Sequence, residues 1–200
     1  MNNRSVETIN ASNRESWLLA ATELMRPTFL AKGSTIPPIK VSVGWPGGRG
    51  PKNKTIGQHW HPSASADNVS QIFISPILSD AIQALETLAH ELVHAVYPDG
   101  GHGKEFKRLA LAIGLEGKMT ATKASNIMRD HLNALIDILG PYPHAALTPE
   151  LSGIKKQGTR LLKCECSSCG YTVRVTKTWI EKGTPICPCN QESMTVEVSE

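Results

Sequence analysis

Three histidines and one glutamate between positions 90 and 102 carry the densest chemistry in this sequence. In Leu88-Ala89-His90-Glu91-Leu92-Val93-His94-Ala95 the two histidines are four apart, so on a helix they share one face and can present two imidazoles to one metal ion, with Glu91 beside them. Zinc held there would polarise a carbonyl and lower the pKa of a bound water, and Glu91 is placed to take that proton as general base. Two histidines alone are too few. His102 follows eight residues after His94, in His102-Gly103-Lys104-Glu105-Phe106, where a loop folding back would bring it to the metal as third ligand. Asp99, Glu105 and Glu116 are rival oxygen ligands.

Periodicity shows which elements must position these groups. Ile82, Leu85, Ala89, Leu92 and Val96 recur at three and four positions, which predicts an amphipathic helix capped by Ser79 or Asp80 and stopped by Pro98-Asp99-Gly100-Gly101. A second helix through Phe106, Leu109, Ala110 and Ile113 ends near Gly114 or Gly117. Upstream, Ser12 with Glu15 as its capping-box partner opens a helix through Trp17, Leu18, Ala21, Leu24 and Met25, which Pro27 kinks or ends. Ile39, Val41 and Val43 alternate with Lys40 and Ser42 as a half-buried strand, and further strands are expected over 55 to 60 and 71 to 75, joined by a polar turn over 63 to 68. Residues 120 to 122 are expected to cap a last helix with Ala124, Ile127, Met128, His131, Leu132, Leu135, Ile136 and Leu139 on its apolar face, closed by Gly140-Pro141. His131 reads there as a hydrogen-bonded core histidine.

Several residues outside the central motif can also do chemistry. His59 and His61 are two apart on a predicted strand, so both face one side and can approach the zinc or a substrate. Tyr97 and Tyr142 are candidates for stabilising the tetrahedral oxyanion that attack of water on a carbonyl would form. Trp45 lies beside Arg49, Lys52 and Lys54, in a stretch with no acidic residue from 41 to 66. That loop can stack a base and meet phosphates, or form a solvated hairpin whose tryptophan covers the sheet.

All five cysteines fall between 164 and 189, a close spacing that suits metal binding in a reducing compartment better than disulfides. Cys166-Ser167-Ser168-Cys169-Gly170-Tyr171 has the form of a zinc knuckle, and Cys187-Pro188-Cys189-Asn190 is a second one, one residue short. The best tetrahedral set is Cys166, Cys169, Cys187 and Cys189, with Cys164 able to replace one member. So small a module takes much of its folding energy from the metal. Arg174, Lys177, Trp179 and Lys182 make a basic and aromatic surface for nucleic acid, and Trp179 reads equally as the large core residue of the tail.

The order of Ile72-Phe73-Ile74-Ser75-Pro76, the helix carrying His90-Glu91-Leu92-Val93-His94, and His102-Gly103-x-x-Phe106 resembles the SprT-like zinc metallopeptidase domain over about residues 12 to 140. The tail after 160 resembles the zinc ribbon that often follows it. The resemblance implies an α+β, zincin-like domain with helices packed on a small β-sheet over 12–147, then a small β zinc ribbon over 160–198. It implies His90, His94 and His102 as zinc ligands, Glu91 as catalytic base, and two Zn²⁺ ions, one catalytic and one structural. The implied activity is a zinc endopeptidase acting on proteins bound or crosslinked to DNA, with DNA, single-stranded in preference, as partner. Two rivals are a DNA-binding adapter that keeps its zinc for structure alone and a general cytoplasmic metallopeptidase without DNA dependence. The intact Glu91 argues against the adapter, since a structural zinc needs no base beside it.

Composition sets the outer bounds. Two hundred residues at 40% hydrophobic and 20% charged content suffice for one ordinary core and a small appendage. No run approaches the 18 or so apolar residues of a membrane span, and Met1-Asn2-Asn3-Arg4 leads into no signal-peptide core, so no membrane partner and a cytoplasmic location are expected. Positions 1 to 150 carry 14 Lys or Arg against 13 Asp or Glu, and positions 151 to 200 carry seven against five. A four-thiolate zinc cluster, itself of charge about −2, would cancel the tail's surplus. DNA contact must therefore depend on local patches.

Overall fold

The computed structural model describes residues 11–48, 55–149 and 161–197. The chain divides into two compact units, the first ending at Leu151 and the second beginning at Ser152.

The first unit opens with α1 (Arg14–Leu30). Its capping box lies one residue later than the sequence predicts: Asn13 Oδ1 accepts from the Ser16 N–H at 2.8 Å, and Ser16 Oγ accepts from the Asn13 N–H at 3.2 Å. Asparagine caps as well as serine, and this start turns Trp17, Leu18, Ala21, Met25 and Phe29 into the core. Glu15 instead meets Arg14 at 3.0 Å and accepts from the Val43 N–H at 3.3 Å. Pro27 neither ends the helix nor stops it short of Leu30, because in the last turn its missing N–H forfeits a single bond while Phe29 is fully buried beyond it.

Three strands follow, β1 (Ile39–Val43), β2 (Gly57–Trp60) and β3 (Ser70–Ile74), in the order β1-β3-β2 with β1 parallel and β2 antiparallel to β3. The alternation buries Val41, Ile72 and Ile74 on one face, where α1 packs on β1 and α2 packs on β2 and β3. Helix α2 (Ala81–Val96) is capped by Asp80, whose Oδ1 accepts from the Gln83 N–H at 2.8 Å. Leu85, Leu88, Ala89 and Leu92 form its buried stripe. Helix α3 (Lys104–Ala112) then returns along it.

The next segment corrects the sequence reading. Residues 120 to 122 cap no helix; they belong to a hairpin of β4 (Leu115–Lys118) and β5 (Ala121–Ala124). Gly114, at φ 97 with Met128 Cβ only 2.8 Å from where its own Cβ would be, ends the helical path and starts the hairpin. Ser125 is the true cap of α4 (Asn126–Leu139), its Oγ accepting from the Met128 N–H at 3.3 Å. Met128, Leu132, Leu135 and Leu139 carry the buried face, whereas Ile127, predicted on it, is 85% exposed in the first turn. His131 is satisfied by Thr28 Oγ1 at 3.0 Å. Glu86 of α2 ties this region down, accepting from the Ala124 N–H at 3.1 Å and from Arg129 at 3.0 Å.

The second unit is a three-stranded antiparallel sheet, β6 (Leu161–Glu165) between β7 (Thr172–Thr176) and β8 (Thr195–Glu197), with the single turn α5 (Lys177–Ile180) after β7. Its small core is Cys164, Cys166, Cys187 and Met194, with Val173, Val175 and Val196 against them. The whole is an α+β architecture of helices on small sheets with a cysteine cluster beside the last strands. Among the described residues no helix is long and apolar enough to cross a membrane.

Candidate metal centres

Helix α2 supplies His90 and His94 one turn apart, and the turn that follows carries His102 back to them. Two short bonds tighten that turn, from the Gly100 N–H to Tyr97 O at 3.2 Å and from the Gly103 N–H to Gly100 O at 2.9 Å. His102 Nε2 lies 3.2 Å from His90 Nε2 and 3.2 Å from His94 Nε2. An imidazole nitrogen holds one proton or one lone pair, so His102 Nε2 cannot hydrogen-bond both neighbours; three lone pairs sharing a cation satisfy all of them. A tetrahedron with zinc–nitrogen bonds of about 2.0–2.1 Å has edges of about 3.3–3.4 Å, which these spacings match. His90 Nδ1 lies 2.8 Å from Thr122 Oγ1, a contact that holds the ring with Nε2 toward the cluster. The Phe106 ring floors all three imidazoles, with centroids 5.0, 4.4 and 4.9 Å from those of His90, His94 and His102.

Burial sets the protonation of the cluster. Desolvation, then the charge of neighbouring imidazoles, pushes His90 down to about 4 and His94 to about 3, and burial lowers His102 as well. All three are neutral at pH 7, with lone pairs available to a metal. Glu91 is only 5% exposed and lines the same cleft of about 700 Å³ as the three histidines. Burial pushes its carboxyl up to about 8, against a backbone hydrogen bond from His59 that pulls it down.

In the second unit the sulfurs of Cys166, Cys169, Cys187 and Cys189 all lie within 4.8 Å of one another. Cys169 Sγ and Cys187 Sγ are 3.5 Å apart, near the edge of about 3.8 Å expected for zinc–sulfur bonds of about 2.3 Å. The first knuckle closes through the Gly170 N–H to Cys166 O at 2.9 Å, and backbone hydrogen bonds from Cys169 and Ser168 hold the Cys166 thiol down to about 7. Cys189 is pushed up to about 12, first by its hydrogen bond with Cys169 and then by Cys187, the neighbours its thiolate would face without a cation. The short second knuckle is completed by Gln191, at φ 60, donating its N–H to Cys187 O at 2.9 Å. Asn190 Nδ2 ties the knuckles together through Ser168 Oγ at 3.1 Å. Two separate clusters therefore offer donor sets fitted to metal, one of three histidines and one of four cysteines.

No family model, curated protein or solved structure matches this chain.

The rival ligands stand outside the three-histidine cluster. Asp99 Oδ1 pairs with His61 Nε2 at 3.2 Å, Glu105 with Arg108 at 3.2 Å, and Glu116 stands opposite Lys123 in the hairpin. Cys164 stands outside the four-sulfur cluster, opposite Val173 and Val196 in the sheet and fully buried in the core of the second unit. His59 and His61 do line the cleft, and the His59 ring stacks on His94 at 6.3 Å with its Nε2 3.0 Å from Ser70 Oγ. The tyrosines do not line it. The Tyr97 hydroxyl accepts from Arg108 at 2.8 Å, and Tyr142 is buried against Trp17 with centroids 4.9 Å apart. Trp45 is half-buried beside the sheet, while Arg49, Lys52 and Lys54 lie outside the described residues. Arg174, Lys177, Trp179 and Lys182 are all exposed, with Lys182 Nζ 5.1 Å from the Trp179 ring centroid. At 61% exposure Trp179 is not the core residue of the tail. Thr122 and Gly57 are missing from the sequence reading: Thr122 lies in the unforeseen hairpin, whereas a glycine inside a strand pattern does signal close approach of another group.

Proposed function

We propose that the chain is a zinc-dependent endopeptidase of the SprT-like type, acting in the cytoplasm on proteins bound or crosslinked to DNA. The observation that carries the catalytic part is the buried Glu91 carboxyl in the same cleft as three convergent histidines. Zinc held by His90, His94 and His102 would supply Lewis acidity toward a scissile carbonyl and acidify water. Glu91 accepts the proton of the attacking water and returns it to the departing amide nitrogen. The backbone of His59 holds the carboxylate, and Thr122 holds the His90 ring. Among the described residues β2 is an edge strand, and residues 55 to 59 line the cleft, so an extended substrate segment can pair along β2. In the second unit the four cysteines would close a structural zinc site, and Arg174, Lys177, Trp179 and Lys182 supply a basic and aromatic surface for DNA.

Cleavage of a DNA-bound protein and of the same protein free, each with and without DNA, by the parent chain and by Glu91→Gln, tests both halves. The expected result is cleavage of the DNA-bound form by the parent alone. Equal cleavage of free protein would remove the DNA half, and undiminished cleavage by the variant would remove the catalytic half.

A further inference from the structure

The sheet has a second, opposite face. Because side chains alternate along a strand, Gln58, Trp60, Gln71 and Phe73 point away from the buried Ile72 and Ile74. Together with Trp45 and Ala64 they line a cavity of about 360 Å³. We infer that this cavity, which meets the metal cleft at Gln58, is a subsite for one base of a single-stranded nucleic acid. The inference takes its partner class from the proposed function and uses neither Glu91 nor a metal.

The register builds a mixed floor. Trp60 stands opposite Gln71 and Gln58 opposite Phe73, so rings and amides alternate diagonally across the two strands. A solvent-facing side of a small antiparallel pair is ordinarily polar, yet this one carries Trp60 at 45% exposure and Phe73 half-buried beside it. Aromatic rings on an open sheet are what a base stacks on. The third ring is held in place before any ligand arrives: the Pro46–Gly48 turn packs on β2, and the Gly47 N–H donates to Gln58 Oε1 at 2.6 Å.

The amides argue for a base over an apolar ring. Gln58 spends its oxygen on Gly47, which leaves its Nε2 as donor; Gln71 spends its Nε2 on Ser65 Oγ at 2.9 Å, which leaves its oxygen as acceptor. Among the described residues neither remaining group has a partner. A phenylalanine ring seated here would leave both unsatisfied, whereas the edge of a nucleobase carries donors and acceptors together. Charge points the same way. In the sequence, positions 41 to 66, which hold Trp45, Gln58, Trp60 and Ala64, carry Arg49, Lys52 and Lys54 and no acid, a composition that suits a polyanion. A cavity of this volume admits one base out of its stack and no duplex.

The test uses the full-length, zinc-loaded protein with a short oligo-thymidylate, a hairpin duplex and a neutral aromatic peptide as probes. It is run in the parent and in a Trp179→Ala background, so that binding at the second unit cannot hide the result. Trp60→Ala should weaken oligo-thymidylate binding by about 5- to 150-fold, the effect of losing one stacking ring. Trp60→Phe should recover most of that loss, while circular dichroism and zinc content stay at parental values in both variants. Unchanged affinity of Trp60→Ala in both backgrounds overturns the inference, as does tighter binding of the duplex or of the peptide. Since no probe is cleaved, a failure here is separate from a failure of the peptidase reading.

Discussion

A Cβ placed on Gly57 would lie 2.5 Å from Glu91 Oε1 and 2.5 Å from Thr87 Cγ2, so strand β2 rests directly on the carboxyl of the cleft. No side chain fits at position 57 without displacing Glu91 or the strand. That close approach also strips water from the carboxyl, which is the burial that pushes it up to about 8.

Gly57→Ala should therefore act on chemistry more than on metal. Cleavage of an accepted substrate is expected to fall by up to about 10²-fold, the scale of an ångström-sized misplacement of a catalytic group, with zinc content unchanged. Gly44→Ala is the control, because its new Cβ would meet Phe73 Cδ1 at an ordinary 3.5 Å. Parental turnover in Gly57→Ala would show that the strand does not position Glu91.

Glu91 and the histidines titrate in opposite senses, and metal-free protein separates them. The Glu91 pKa rises from 4.5 to about 8 on folding, so its contribution to stability is present below pH 4.5 and is lost as pH rises through 8. Glu91→Gln has no such loss. The variant should gain stability relative to the parent steadily from pH 4.5 to 8, measured by denaturant unfolding after chelation, and a constant difference over that window refutes the burial. His59 and His90 fall from 6.5 to about 4 and His94 to about 3, so they add stability above pH 6.5 that disappears as pH falls toward those values.

Most of what places the histidines was legible as periodicity. The stripe through Leu85, Ala89 and Leu92 forces His90 and His94 to one side of α2, and Pro98 with two glycines forces the chain to turn before His102. What the sequence hid was set by tertiary contact. The hairpin through Thr122 depends on Gly114 meeting Met128 across 14 positions, and nothing local distinguishes its threonines from helix caps. Asn13 over Ser12 as cap, and the exposure of Ile127 and Trp179, likewise follow from which face the core claims. The Gln58–Trp60–Gln71–Phe73 face needed the strand register, which aligns residues that are more than ten positions apart.

Metal content should report two independent sites. The parent is expected to hold two zinc ions per chain, His90→Ala one, and Thr122→Val two with the histidine site weakened by about 10- to 100-fold, the usual cost of losing a group that orients a ligand. A single zinc in the parent by elemental analysis would contradict the two donor sets.

The cysteines divide in the same way. Cys189→Ser removes one of four converging sulfurs and should release the metal of the second unit and loosen its fold. Cys164→Ala removes only packing from the sheet core, so zinc should stay while thermal stability drops by about 1–2 kcal/mol, the scale of a small buried side chain. Loss of zinc from Cys164→Ala with Cys189→Ser still loaded would exchange their roles.

Trp179 separates structure from recognition in the second unit. Its ring is exposed on α5 with Lys182 over it at 5.1 Å, and the core beneath the sheet is filled by Cys164, Met194 and valines. Removing it should therefore leave both the fold and the zinc intact. If the ring stacks a base, Trp179→Ala weakens single-strand binding by about 1–3 kcal/mol, and Lys182→Ala lowers the slope of affinity against salt because one phosphate contact is gone. The two substitutions thus differ in kind: the first shifts affinity equally at every salt concentration, the second changes how steeply affinity falls. Full affinity and an unchanged salt slope in both variants, with zinc measured at parental level, would remove this surface from nucleic-acid binding and leave the opposite face of the first unit's sheet to carry it.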